Sequence, residues 1–178
     1  MSETLANTAL APEVHVEGDL SVRLLEPDDS DAIFQVLRRA SEVQSYVTWT
    51  AGIRNPDDVA CAIEGFQANG ESRYALLEGE TLIGYIGVFP YEEGVYGLGY
   101  FCDPAYRGSG RVTRAAEKLM EAAEKSLPVD RFALYIADEN NASRAVAVRL
   151  GFSPTDIVIK DDVLDCTERR YEKVVHHE

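Results

Sequence analysis

Three apolar, β-prone runs follow one another in the middle of the chain, Arg73 to Leu77, Leu82 to Phe89 and Val95 to Cys102. The turn-forming stretches Glu78-Gly79-Glu80 and Tyr91-Glu92-Glu93-Gly94 separate them. Connections this short join antiparallel neighbours, because a parallel crossover needs a dozen or more residues. An antiparallel meander is therefore fixed at the centre, and the flanking segments must pack against it.

Before the meander, Leu20-Ser21-Val22-Arg23-Leu24 alternates as a half-buried strand does. Pro27-Asp28-Asp29-Ser30-Asp31 then supplies cap and first-turn acids for a helix with Ile33, Phe34, Val36 and Leu37 on one stripe. Asn55-Pro56-Asp57-Asp58 opens a second helix that should end near Asn69-Gly70. Between these helices, Ser41 to Asn55 is irregular and aromatic; Tyr46 and Trp49 suit either a substrate-side wall or simple cover for the core. After the meander come a helix, the buried strand Arg131 to Ala137, a helix from Asn140 to Leu150 capped by Gly151, and two strands, from Phe152 onward and from Thr167 to Val175. The order β-α-α-β-β-β-α-β-α-β-β predicts an α/β fold: one domain with a mixed, mostly antiparallel sheet and helices on both faces. Residues 1–18 read as a loose or strand-like lead-in, and 19–178 as the single domain.

The segment Leu98 to Ala116 carries the first chemical signal. A strand runs into the turn Asp103-Pro104, then into Arg107-Gly108-Ser109-Gly110-Arg111-Val112, then into a helix starting near Ser109. Glycines just before a helix let a ligand approach the backbone, and the unpaired first amides together with the helix dipole attract an anion. Arg107, Arg111 and Arg114, at spacings of four and three, should gather at that same end. Taken alone, the loop also fits an ordinary strand-to-helix connection, since short glycine motifs are common. A nucleotide P-loop is disfavoured because Arg-Val follows Gly110, in place of Lys-Ser or Lys-Thr.

Charge narrows the partners. Thirty-one acidic residues against 17 basic ones give a net charge of -14, which argues against nucleic acid or an anionic membrane and favours a cationic partner. Cys61, Cys102 and Cys166 are odd in number and form no C-x-x-C pair, so neither a disulfide framework nor a metal site is expected. No apolar run of about 18 residues and no leader are evident, so a cytoplasmic setting is the expectation; a homodimer is compatible with the sequence.

DPAYRGSGRVTRAAEKLM and the later NNASRAVAVRLGF together resemble the two halves of the acyl-coenzyme A site of the GNAT superfamily of N-acyltransferases. The likeness spans roughly Leu20 to Val175, and in detail the chain is similar to the branch that includes the Rim-type ribosomal-protein N-terminal acetyltransferases, whose members share the N-x-x-S…G-F ending. Arg107 and Gly110 match the family loop of Gln or Arg, two residues, Gly, one residue, then Gly or Ala; Val112 departs from it but keeps its amide. The resemblance implies acetyl-coenzyme A as co-substrate. Its pyrophosphate would be held by amides from Gly108 through Ser109, Gly110, Arg111 and Val112 to Thr113, and its pantetheine arm by a strand splayed open at Tyr100, Phe101 and Cys102. It also implies cofactor contacts from Asn140 and Ser143.

Many relatives outside the Rim-type branch carry a Tyr seven residues after that Asn to reprotonate the leaving thiolate; here the position is Ala147. Ser143 is then the remaining donor to the sulfur, while Asn140 also reads as a plain helix N-cap. Rim-like relatives often place a Glu where this chain has Gly97, so Glu92 or Glu93, or Tyr96 through a water, stand in as candidate bases. Gly97 and Gly99 leave room for a substrate or an aromatic neighbour. Cys102 reads as a small apolar filler ahead of a nucleophile, with no His nearby to activate it. The implied function is transfer of an acetyl group to a primary amine, either a protein N-terminus or a small cationic molecule. The alternative is a non-catalytic acyl-coenzyme A binding or sensing module.

Overall fold

The computed structural model describes residues 10–177. Eight strands form one sheet: β1 (Glu13–Glu17), β2 (Leu20–Leu24), β3 (Ser72–Glu78), β4 (Thr81–Glu92), β5 (Val95–Cys102), β6 (Arg131–Ala137), β7 (Ser153–Asp161) and β8 (Cys166–Val174). Their spatial order is β1-β2-β3-β4-β5-β6-β8-β7, and every neighbouring pair is antiparallel except β5 and β6. Four helices cover the sheet: α1 (Ser30–Arg39), α2 (Pro56–Ala68), α3 (Arg111–Ser126) and α4 (Asn141–Arg149). The predicted fold class is the observed one.

Two cores lie on opposite faces of the sheet. Tyr74, Leu76, Ile86, Phe132 and Leu134 pack against Ala115, Ala116, Leu119 and Ala123 of α3 and Ala147 of α4. On the other face Ala75, Tyr85 and Phe101 meet Ile33, Val36 and Leu37 of α1 and Val59 and Ile63 of α2. Strand alternation divides the residues this way, because successive side chains of β3 (Tyr74, Ala75, Leu76) enter different cores.

Local signals set the element ends. Asn55 accepts from the Asp58 amide at 3.0 Å and caps α2, and Gly151 follows α4 with φ 85. In two places the elements differ from the sequence reading. Tyr91 and Glu92, expected in a turn, extend β4; a register break between Pro90 and Glu92 absorbs the proline's missing donor, so the turn shrinks to Glu93-Gly94. Helix α3 starts at Arg111 rather than near Ser109, because Gly110 is left-handed (φ 76) and cannot continue into the helix from that side. Within the lead-in, Glu13–Glu17 pairs with β2 as a strand, while residues 1–9 lie outside the described residues.

Gly84 on β4 meets β5 more closely than any side chain allows: a Cβ there would sit 2.2 Å from the Phe101 carbonyl oxygen. At Gly99 the nearest contact would be 3.4 Å, to the Phe89 ring. Urea unfolding of the two alanine variants should therefore separate them. Gly84→Ala is expected to lose about 1–3 kcal/mol, as overpacking does, whereas Gly99→Ala stays within about 1 kcal/mol of the parent.

Candidate active site

The two central strands pair only at their beginnings. Val95, Tyr96 and Gly97 lie beside Arg131, Phe132 and Ala133; beyond them β5 stays with β4 as far as Cys102, while β6 stays with β8 as far as Ala137. The fork opens the sheet and leaves main-chain groups from Leu98 to Phe101 without a strand partner on the β6 side. A cleft of about 1070 Å³ occupies it, lined by Leu98 to Cys102, Leu134 to Ala137, the Gly108 to Thr113 loop, α4 and the segment between α1 and α2.

One end of the cleft presents unclaimed hydrogen-bond donors. Gly108 and Gly110 are both left-handed (φ 87 and 76), which turns successive amides of the loop inward. Among the described residues, none of the backbone amides from Gly108 through Thr113 has a protein acceptor; the run ends at Arg114, whose N–H reaches Gly110 O at 3.0 Å. The Thr113 hydroxyl is buried with no partner. The buried Thr113 hydroxyl costs stability until a ligand satisfies it, and a pyrophosphate would satisfy both the amides and the hydroxyl.

The arginines gather at this helix end as expected, Arg111 and Arg114 both bonding Ser109, but each is also paired with a carboxylate. Arg107 is held by Glu42 at 2.6 Å and by the Cys102 carbonyl at 2.9 Å. Arg111 is paired with Glu78 at 2.5 Å, and Arg114 with Glu17 at 2.8 Å. Carboxylates are plentiful in a chain of net charge -14, and each guanidinium has found one. Arg107 and Arg111 line the cleft; Arg114 and Ser109 do not.

At the start of α4, Asn140 caps the helix, its side-chain oxygen accepting from the Ser143 amide at 3.2 Å. Both residues line the cleft. The Ser143 hydroxyl lies 2.8 Å from the Tyr100 hydroxyl. Cys102 is buried, and burial pushes its thiol up to about 11, with Arg107 opposing only in part. At neutral pH it is a protonated, apolar wall.

The opposite end of the cleft is aromatic and acidic. Trp49 packs edge-on to Phe66 and Tyr85, so it serves both the core and the wall. Arg73 donates to the Tyr85 hydroxyl and to Glu71, with Phe66 and Phe89 on its faces at 4.6 and 4.0 Å. The space at Gly97 and Gly99 is filled by Phe89 and Tyr91: a Cβ on Gly97 would lie 2.4 Å from the Tyr91 ring.

Glu168 of β8 faces this end and is 7 % exposed. Burial, aided by Asp161, raises its carboxyl from 4.5 to about 7. The nearby Arg170 is taken by Glu92 and Glu172, each at 2.8 Å, so no guanidinium pulls Glu168 back down.

A family model described as acetyltransferase (GNAT) domain matches residues 19–153. The chain belongs to the GNAT acetyltransferase family. It is 27 % identical, over 77 % of its own length and 79 % of the relative's, to YdaF of Bacillus subtilis (strain 168), a candidate ribosomal N-acetyltransferase. RimL, the ribosomal L7/L12 alpha-N-protein acetyltransferase solved with coenzyme A, superposes with a TM-score of 0.81 at 18 % identity, covering 92 % of this chain and 98 % of that one. The microcin C7 self-immunity acetyltransferase MccE, solved with acetyl-CoA and AMP, gives 0.79 at 18 % identity, covering 94 % and 99 %. These last two show a shared GNAT fold.

Within this GNAT domain the sequence-derived residues are unevenly placed. Tyr100, Phe101, Cys102, Arg107, Gly108, Gly110, Arg111, Val112, Thr113, Asn140 and Ser143 meet around one cleft. Glu93 and Tyr96 lie outside its lining: Glu93 is exposed in the hairpin turn, and Tyr96 points to the α3 side of the sheet, where it packs on the core. Glu92 is likewise outside, ion-paired to Arg170. Glu168 escaped the sequence reading because β8 carries charges on both faces, and alternation alone does not tell which carboxylate faces a cleft.

The raised carboxyl makes Glu168 a liability for the fold. Between 4.5 and about 7 the folded state holds a proton that the unfolded chain has released, so this group's stabilising contribution falls as pH rises through that window. Urea midpoints of the parent and Glu168→Gln should be close at pH 4.5, with Gln gaining the advantage steadily up to pH 8.

Proposed function

We propose that this protein transfers an acetyl group from acetyl-coenzyme A to a primary amine. The reading rests chiefly on one juxtaposition: the unclaimed amides and Thr113 hydroxyl at one end of the cleft, and the buried, raised carboxyl of Glu168 at the other. Coenzyme A and acetyl-CoA in the RimL and MccE structures support the choice of donor. In this reading the loop amides hold the pyrophosphate, the unpaired edge of β5 takes the pantetheine arm, and a strand amide near Cys102 polarises the thioester carbonyl. Asn140 orients the start of α4, and Ser143 donates a hydrogen bond to the departing sulfur.

The acceptor enters from the aromatic, acidic end. Glu168 and Asp161 line it and favour a cationic amine, while Tyr46, Trp49 and Tyr91 offer apolar cover for the group that carries the nitrogen. A protein N-terminus, as the names of YdaF and RimL suggest, and a small cationic amine both meet these demands. Glu168 receives the proton that the amine sheds as its nitrogen bonds to the carbonyl carbon. A carboxyl that titrates near neutrality is matched to that task.

Release of coenzyme A thiol, assayed across a panel of peptides and small amines, tests the reading. With the best acceptor, kcat/KM should rise with pH through about 7 as Glu168 ionises, and Glu168→Gln should lower it by about 10²–10⁴-fold. Tight cofactor binding without turnover on any amine would return the non-catalytic alternative. Gly110→Val, which forces a branched residue into a left-handed position, should weaken coenzyme A binding by calorimetry roughly tenfold, given a strain of about 1–2 kcal/mol. Unchanged affinity would overturn the assignment of the loop.

A further inference from the structure

The Tyr100 side chain leaves β5 on the α3 and α4 side of the sheet and ends against the first turn of α4. Its hydroxyl lies 2.8 Å from Ser143 Oγ and 3.3 Å from the Ser143 carbonyl oxygen, and no other protein group bonds to it among the described residues. Ser143 has one hydroxyl proton to give. If Tyr100 donates to the Ser143 carbonyl, Ser143 spends its proton on Tyr100; if Tyr100 donates to Ser143 Oγ at the shorter distance, the serine proton is free for another acceptor in the cleft. The second arrangement is favoured once negative charge builds up in the cleft, since each hydroxyl in the chain then polarises the next.

From this geometry we infer that Tyr100 is a positioning residue for acetyl transfer: its hydroxyl donates to Ser143 Oγ and so directs the Ser143 proton at the departing sulfur. The inference rests on the acetyltransferase reading above. As the C–N bond forms and the C–S bond breaks, the electron pair of the latter stays on sulfur. Ser143 stabilises that charge by hydrogen bonding. The amine proton leaves through Glu168 and the thiolate takes its proton from solvent, so neither hydroxyl changes its net protonation. Burial keeps the phenol protonated, pushed up to about 12, so it remains a donor throughout the pH range of an assay.

A double-mutant cycle tests the inference, using Tyr100→Phe, Ser143→Ala and the pair. Phe keeps the buried ring and removes only the hydroxyl, and thermal unfolding of each variant checks that the packing against α4 survives. Tyr100→Phe should lower kcat roughly tenfold, the worth of one hydrogen bond to a charged centre, with KM for acetyl-CoA unchanged. In the Ser143→Ala background it should have no further effect on kcat. An unchanged kcat in Tyr100→Phe, or the same loss in both backgrounds, would overturn the inference while leaving the acetyltransferase reading intact. A parent protein without turnover on any amine would overturn both.

Discussion

The candidate site of this protein depends on hydrogen bonds that β5 and β6 do not make. A continuous parallel pairing would have sealed the sheet, and the main-chain groups from Leu98 to Cys102 would have been spent on β6. Because pairing stops at Gly97 and Ala133, each strand keeps its other partner, β4 or β8, and the unpaired inner edge lines the cleft. The cost of such unsatisfied groups is tolerable where a ligand completes them. The same logic governs the loop before α3, where left-handed Gly108 and Gly110 hold a series of amides away from any protein acceptor and the Thr113 hydroxyl is left alone.

Around this polar fork the protein manages its charge by pairing rather than by excess. Each of the three arginines near the loop is matched to a carboxylate from elsewhere in the chain, Glu42, Glu78 or Glu17, so the loop presents oriented dipoles more than free cations. Glu168 is the counterpart at the other end. Its neighbour Arg170 is engaged by Glu92 and Glu172, and burial is therefore free to lift the Glu168 carboxyl toward neutrality. A group held this way weakens the fold at high pH and suits proton transfer at the same time, the trade that buried catalytic groups commonly make.

Much of the architecture was legible in the chain because its signals are local. The short turns of the meander dictated antiparallel pairing, the Asn55 and Asn140 caps marked helix starts, and Gly151 marked a helix end. The glycine loop and the Asn140 to Ser143 turn were legible for the same reason, since both depend on residues within a few positions of each other. The base was not. Glu93 and Tyr96 stood near the expected strand in sequence, yet the hairpin turn carries one into solvent and strand alternation turns the other to the α3 face. Glu168 reaches the cleft from β8, which pairs with β6 only after the chain has passed through α4 and β7.

By itself, then, the sequence determined the elements, their antiparallel core and the glycine loop before α3, because periodicity, turn chemistry and capping act over a few residues. Only the tertiary structure decided where β5 and β6 part, which carboxylates occupy the arginines, that aromatic rings fill the space at Gly97 and Gly99, and that Tyr100 meets Ser143. Those outcomes are set by which surfaces meet when distant segments pack. Burial, and with it the raised carboxyl of Glu168, exists only after they have done so.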